Sequence, residues 1–366
     1  MDVRLGHVFQ LVLAYARMAA PGKRIACSDW SETEAFGTER LAFRPSWKRP
    51  HLSIEALLVD IRFMRIRLGN RQLLALPLVA MLAVLAKSDD EVGEHADYIL
   101  RSELPYSETI ASLTLDLYSP RNSSQPLPCV VVIQGGGFNA QSGEKFRPFA
   151  ERLASEGFAS ALIAYRGRPD DTYRKTVSDT KTAVRFLRRY SSEYGIDPDR
   201  IGAMGRSAGG TLVALLAFTD DDKEWLGDPS HSRYSSRIKA GVGYAGVYDF
   251  VARFEDQAQL DLQSNAEAKI ASNGEWIGEE YSPSSPAWLE ASATTHLDSG
   301  DPAMLLLHCK DDGTVPWLQS RDLFERMRKL NLPVEIELYK KGGHGFRTED
   351  QDEPIVRMIG FLRRHL

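Results

Sequence analysis

The chain has 366 residues, 43% hydrophobic and 26% charged, close to the average of soluble globular proteins, which excludes collagen-like, coiled-coil and disordered classes. A formal net charge of -5 gives no general electrostatic reason to bind nucleic acid. The three cysteines, Cys27, Cys129 and Cys309, form no C-x-x-C, and no apolar run reaches the roughly 20 residues of a membrane helix.

Charge divides the chain. Residues 1–86 hold 12 Lys and Arg against 7 Asp and Glu, whereas 33 stand against 43 in the rest. Residues 1–63 show no sustained period of 2 or 3.6 and are broken by Pro21, Pro45 and Pro50. Residues 64–72 are basic, residues 73–86 are apolar, and Val84 and Ala86 suit the positions before a signal-peptidase cut at Lys87. The expected organisation is an uncertain extension over 1–63, a signal-peptide-like segment over 64–86 and the main domain over 87–366. Met64 then reads as the biological start, with a secreted or periplasmic product. If it is not, the protein is cytoplasmic and the apolar run is a helix packed on the main domain.

From about residue 96 strands and helices alternate. Residues 112–118 alternate as a half-buried strand does, and 129–134 are continuously apolar, as in a strand buried on both faces. Residues 146–153 have helical spacing, 158–165 read as a strand and 176–190 as a helix. A strand over 200–204 leads into a helix over 208–218. Strands follow at 238–242, 303–307 and 334–339, with helices over 318–330 and 355–366. The alternation predicts an α/β domain with a mostly parallel sheet covered on both faces. Residues 251–299 break it, and predict a small, partly helical, cap-like insertion that covers Trp276, Trp288 and Leu289.

Four features carry chemistry. Gly205-Arg206-Ser207-Ala208-Gly209-Gly210 lies between a predicted strand and a predicted helix. A serine on so tight a turn needs very small neighbours two residues before and after it, and the helix N-terminus aims free N–H groups at developing negative charge. Gln134-Gly135-Gly136-Gly137-Phe138 follows a buried strand, and its N–H groups can turn toward the same point as that of Ala208, forming an oxyanion hole. A phosphate loop would need Gly-Lys-Ser/Thr or a GxGxxG opening a helix, and neither is present. The strand at 303–307 runs into His308-Cys309-Lys310-Asp311-Asp312-Gly313-Thr314-Val315-Pro316, which carries two aspartates. Lys341-Gly342-Gly343-His344-Gly345-Phe346 follows the last strand. Among the 8 histidines only His344 stands between glycines on a post-strand loop. His308 reads as a strand-end structural residue. The order Ser207, Asp312, His344, with the glycine loop upstream, belongs to one serine-hydrolase architecture and not to chymotrypsin-like or subtilisin-like enzymes.

On these motifs the chain resembles the α/β-hydrolase superfamily, and within it the hormone-sensitive-lipase-like and bacterial carbohydrate-esterase-like branch. That branch is marked by H-G-G-G-[FW], G-x-S-A-G-G, D-x-x-V-P and G-H-G-F. The resemblance spans roughly residues 96–366 and departs at Gln134, where the family usually has a histidine that braces the glycine loop. It implies that Ser207 is the nucleophile, His344 the general base and Asp312 the group that orients His344. Asp311 is the rival of Asp312, and the family spacing before Val315-Pro316 favours Asp312. The oxyanion hole would be Gly136, Gly137 and Ala208, while Arg166 and Asp179 brace loops near the glycine turn.

The implied function is a serine carboxylic ester hydrolase acting through an acyl-enzyme on short-chain or carbohydrate-linked acyl esters, acetyl or feruloyl. No metal and no organic cofactor is implied, the partner is the ester substrate, and nucleic acid and a stable membrane span are not expected. A prolyl-oligopeptidase-type peptidase would want proline where Gly137 stands, and a large propeller for which too few residues remain. An arylformamidase-type amide hydrolase shares the glycine loop and stays open. A catalytically silent relative would usually have lost one of the three triad residues.

Overall fold

The computed structural model describes residues 92–94, 97–121, 123–346 and 352–366. The extension over 1–63 and the signal-like segment over 64–86 lie outside the described residues. The strands are β1 (Val92–Glu94), β2 (Tyr98–Pro105), β3 (Thr114–Pro120), β4 (Leu127–Ile133), β5 (Ala159–Ile163), β6 (Ile196–Arg206), β7 (Ala240–Tyr244), β8 (Ala303–Cys309) and β9 (Val334–Tyr339). The principal helices are α1 (Arg147–Ser155), α2 (Tyr173–Arg189), α3 (Ala208–Phe218), α4 (Phe250–Glu255), α5 (Ala266–Ile277), α6 (Pro286–Glu290), α7 (Leu318–Lys329) and α8 (Glu353–His365).

The nine strands form one sheet in the order β1-β2-β3-β5-β4-β6-β7-β8-β9. From β5 to β9 the neighbours are parallel, and β1, β2 and β3 add an antiparallel edge. The continuous apolar run of β4 is explained by its two faces. Cys129, Val131 and Ile133 enter the core under α2 and α3, and Val130 and Val132 enter the core under α1 and α8. Such a strand has no polar face, which is the mark of a parallel sheet between helix layers.

Sequence reading begins the sheet at residue 112 and misses β2. Its pairing with β3 shifts register between Arg101 and Leu104, where Glu103 takes φ 56°. The irregularity breaks the two-residue alternation that a strand is recognised by.

The segment between β7 and β8 is partly helical, carrying α4, α5 and α6. Trp276 and Trp288 are fully buried within it, whereas Leu289, expected beside them, is 41% exposed. The indole N–H of Trp276 donates to Thr176 Oγ1 on α2 at 3.1 Å. This ties α5 to the sheet's helix layer.

Cys129 and Cys309 are buried, and burial pushes both thiols up to about 12. Both are expected to resist Ellman's reagent in the native protein and to react only on unfolding. Labelling of either in the folded chain, read by peptide mapping, would contradict this packing.

Candidate active site

The parallel strands bring their C-terminal ends to one edge of the sheet. There β4 ends in the glycine loop, β6 in Ser207, β8 in the aspartate loop and β9 in the loop of His344.

Ser207 sits between β6 and α3 at φ 58°, ψ −126°, and its N–H donates to Tyr244 O at 2.7 Å. The glycines around it answer to contact distances. A Cβ on Gly205 would lie 2.4 Å from Gly209 O, and one on Gly209 would lie 2.1 Å from Ile133 O. The turn therefore closes only where backbone meets backbone.

The structure brings Ser207, Asp312 and His344 together. His344 Nε2 is 2.9 Å from Ser207 Oγ, and His344 Nδ1 is 2.7 Å from Asp312 Oδ2. An ionised carboxylate can only accept, so Nδ1 carries the proton and Nε2 is left to accept from the serine hydroxyl. Asp312 Oδ1 accepts the N–H groups of Thr314 at 2.8 Å and Val315 at 3.0 Å. Burial opposes the Asp312 charge, but hydrogen bonds from His308 and His344 outweigh it and hold the carboxyl well below the usual carboxylate range. The arrangement can accept a proton from Ser207 and stabilise the resulting imidazolium.

Asp311 has a different task. Its carboxylate accepts the N–H groups of Gly342 at 3.2 Å and Gly343 at 2.8 Å, which fixes the backbone of the histidine loop. His308, fully buried, does more than end a strand. Its Nε2 is 3.0 Å from Val315 O and 3.4 Å from Asp312 Oδ2, and its Nδ1 is 2.8 Å from Ser320 Oγ. It supports the carboxylate of Asp312 from behind, four residues before it in sequence.

The glycine loop lies against the serine turn, since a Cβ on Gly135 would be 2.2 Å from Arg206 O. None of the hydrogen bonds among the described residues uses the N–H of Gly136 or Gly137. The Ala208 N–H opens α3 and has no acceptor within the helix. Gln134 braces the loop from below. Its Nε2 donates to Gln141 Oε1, and its Oε1 accepts from Lys145 N at 2.8 Å. Arg166 pairs with the buried Asp179 at 2.6 Å and also donates its N–H to it, so the two hold the loop after β5. Burial pushes the Asp179 carboxyl up to about 6 against the pull of Arg166. Among the described residues no group of three or more His, Cys, Asp or Glu is placed to hold a metal ion.

Comparison with known proteins agrees with this architecture. The probable carboxylic ester hydrolase LipM of Mycobacterium tuberculosis is 28% identical over 240 residues, 65% of this chain and 54% of that protein. The probable isoprenylcysteine alpha-carbonyl methylesterase ICMEL1 of Arabidopsis thaliana is 28% identical over 230 residues, 63% of this chain and 48% of that protein. The chain spans about half the length of the curated relatives it matches. A solved acetyl ester-xyloside bifunctional hydrolase from Caldicellulosiruptor lactoaceticus superposes with a TM-score of 0.57 at 25% identity, covering 76% of this chain and 93% of that one. The fold is that of the α/β-hydrolases, as the motifs imply. Residues 115–327, more than half of the chain, match the BD-FAE family model, and the chain belongs to the BD-FAE family.

Proposed function

We propose that the protein is a serine carboxylic ester hydrolase that cleaves short-chain or carbohydrate-linked acyl esters. The observation that carries this reading is the hydrogen-bonded line from Ser207 through His344 to Asp312, at 2.9 and 2.7 Å. Ser207 Oγ attacks the ester carbonyl carbon while His344 Nε2 takes its proton. The carbonyl oxygen becomes an oxyanion facing the N–H groups of Ala208 and of Gly136 or Gly137. Collapse breaks the bond to the alkoxy oxygen, which leaves as an alcohol with the proton returned by His344. Water, deprotonated by the same imidazole, then attacks the acyl carbonyl carbon, the bond to Ser207 Oγ breaks as His344 returns the proton to it, and the acid is freed. Asp312 stays ionised throughout and balances the imidazolium.

The substrate class is supported by the acetyl ester-xyloside hydrolase among the similar structures and by the absence of a large apolar lid in the sequence of the insertion. The test is hydrolysis of p-nitrophenyl esters from acetate to palmitate, followed by acetylated and feruloylated xylan. Turnover that falls with chain length is the expected result. Folded protein that cleaves no ester of the series would overturn the reading.

A further inference from the structure

We propose that Arg168 is a positioning residue for the oxyanion loop, and that helix α5 of the insertion acts through it on the rate of acyl transfer. This rests on the hydrolase reading above. Two carbonyls of the glycine loop are each tied down. Gly136 O accepts from the Asn139 backbone N–H at 3.2 Å and from Asn139 Nδ2 at 2.7 Å. Gly137 O accepts from Arg168 Nε at 2.8 Å. In a planar trans peptide the N–H points opposite to the C=O. Tying Gly136 O therefore aims the Gly137 N–H, and tying Gly137 O fixes the peptide plane that follows Gly137, holding from its far side the turn that carries the Gly136 and Gly137 donors. The second tie is charge-assisted, the stronger kind.

Arg168 is itself held on both sides. Its N–H donates to Phe138 O at 2.9 Å, so its backbone runs beside the loop. The far end of its guanidinium pairs with Glu275 on α5. The next residue on α5, Trp276, stacks on Phe138, with ring centroids 3.9 Å apart and planes 15° apart. Consecutive residues of one helix thus grip the oxyanion loop twice, once through a charge and once through a ring. Trp276 is anchored in the core, so α5 is a fixed support and not a free flap.

A partly exposed ion pair contributes little to stability, and the Glu275 side chain is 43% exposed. Loss of the Arg168 contact should therefore leave the fold nearly unchanged. Oxyanion stabilisation, in contrast, depends on donors held within tenths of an ångström of where charge develops. The signature of positioning is then a fall in kcat with KM unchanged.

The experiment compares Arg168→Ala and Glu275→Gln with the full-length parent on p-nitrophenyl acetate, reading kcat, KM and thermal midpoint. Arg168→Ala is expected to lower kcat by about 10- to 100-fold, less than deleting an oxyanion donor outright. KM should hold within about two-fold. Glu275→Gln should lower kcat in the same direction by a smaller factor, and the double variant should lose no more than Arg168→Ala alone. Millimolar methylguanidine should restore part of the kcat of Arg168→Ala. Wild-type kcat in Arg168→Ala, or a loss confined to KM, would overturn the proposal. If Arg168→Ala does not fold, the near-isosteric Glu275→Gln decides: a lowered kcat supports the proposal and an unchanged one rejects it. A parent enzyme without Ser207-dependent ester cleavage would instead remove the hydrolase reading on which the proposal stands.

Discussion

Alanine at Ser207 is expected to lower kcat/KM by about 10⁴-fold or more on p-nitrophenyl acetate, with the fold intact. The strained turn survives the substitution because alanine keeps the Cβ that serine already places at φ 58°. Only Oγ is lost, and with it the bond to His344 Nε2 at 2.9 Å. His344→Ala should cost as much, since the serine then has no base. The double variant should be no worse than either single one, because the two side chains act as a unit. Near-identical circular dichroism with turnover lost is the supporting outcome. An active Ser207→Ala variant would refute the assignment, whatever the state of the rest of the site.

The largest expected effect on stability is at Gly209. A methyl group there would stand 2.1 Å from Ile133 O and 3.0 Å from Ile133 C, both backbone atoms of β4. No rotamer change relieves such a contact, so either α3 or the central strand must move. The cost should be about 3 kcal/mol or more, at the upper end for overpacking. Gly157 is the control. It takes φ 92° with nothing within 4 Å of a built Cβ, so Gly157→Ala carries only the left-handed strain, about 1–2 kcal/mol. Urea midpoints of the two variants measure the difference. Equal midpoints would mean that helix and strand are packed less tightly than the distances say.

Much of the sheet is legible in the sequence. Strand β4 throughout, and β8 up to Leu307, are apolar because helices cover both faces, and a short run of that kind marks a strand with no face toward water. Helix α3 has the same bounds in the sequence reading and in the structure, since the glycines at its start and the apolar run that follows mark both ends. Strand β2 escapes because its irregular pairing hides the alternation. The insertion reads as a cap around its tryptophans, but a window along the chain cannot reveal that Trp276 meets Phe138. The candidate site divides in the same way. Ser207, His344 and the aspartate pair announce themselves, because each follows a strand and is set off by glycine or by an aspartate loop. Which aspartate faces His344 depends on side-chain direction, and the answer lies in the contacts of Asp311 with Gly342 and Gly343. The support given by Arg168 joins segments far apart in sequence, so nothing local betrays it, while that of His308 lies four residues from Asp312 and turns on side-chain direction.

The chain separations within the triad bear on how the protein is made. Ser207 and His344 lie 137 residues apart, and His344 follows Asp312 by 32. During synthesis, β4, the glycine loop and the serine turn leave the ribosome well before β9 exists. Until the last strand has paired with β8, the serine hydroxyl has no imidazole to deprotonate it. On the function proposed above, a chain that lacks the loop of His344 would be a hydrolase without a base. On that same reading, reactivity is expected only once β9 and the loop of His344 have docked on the sheet.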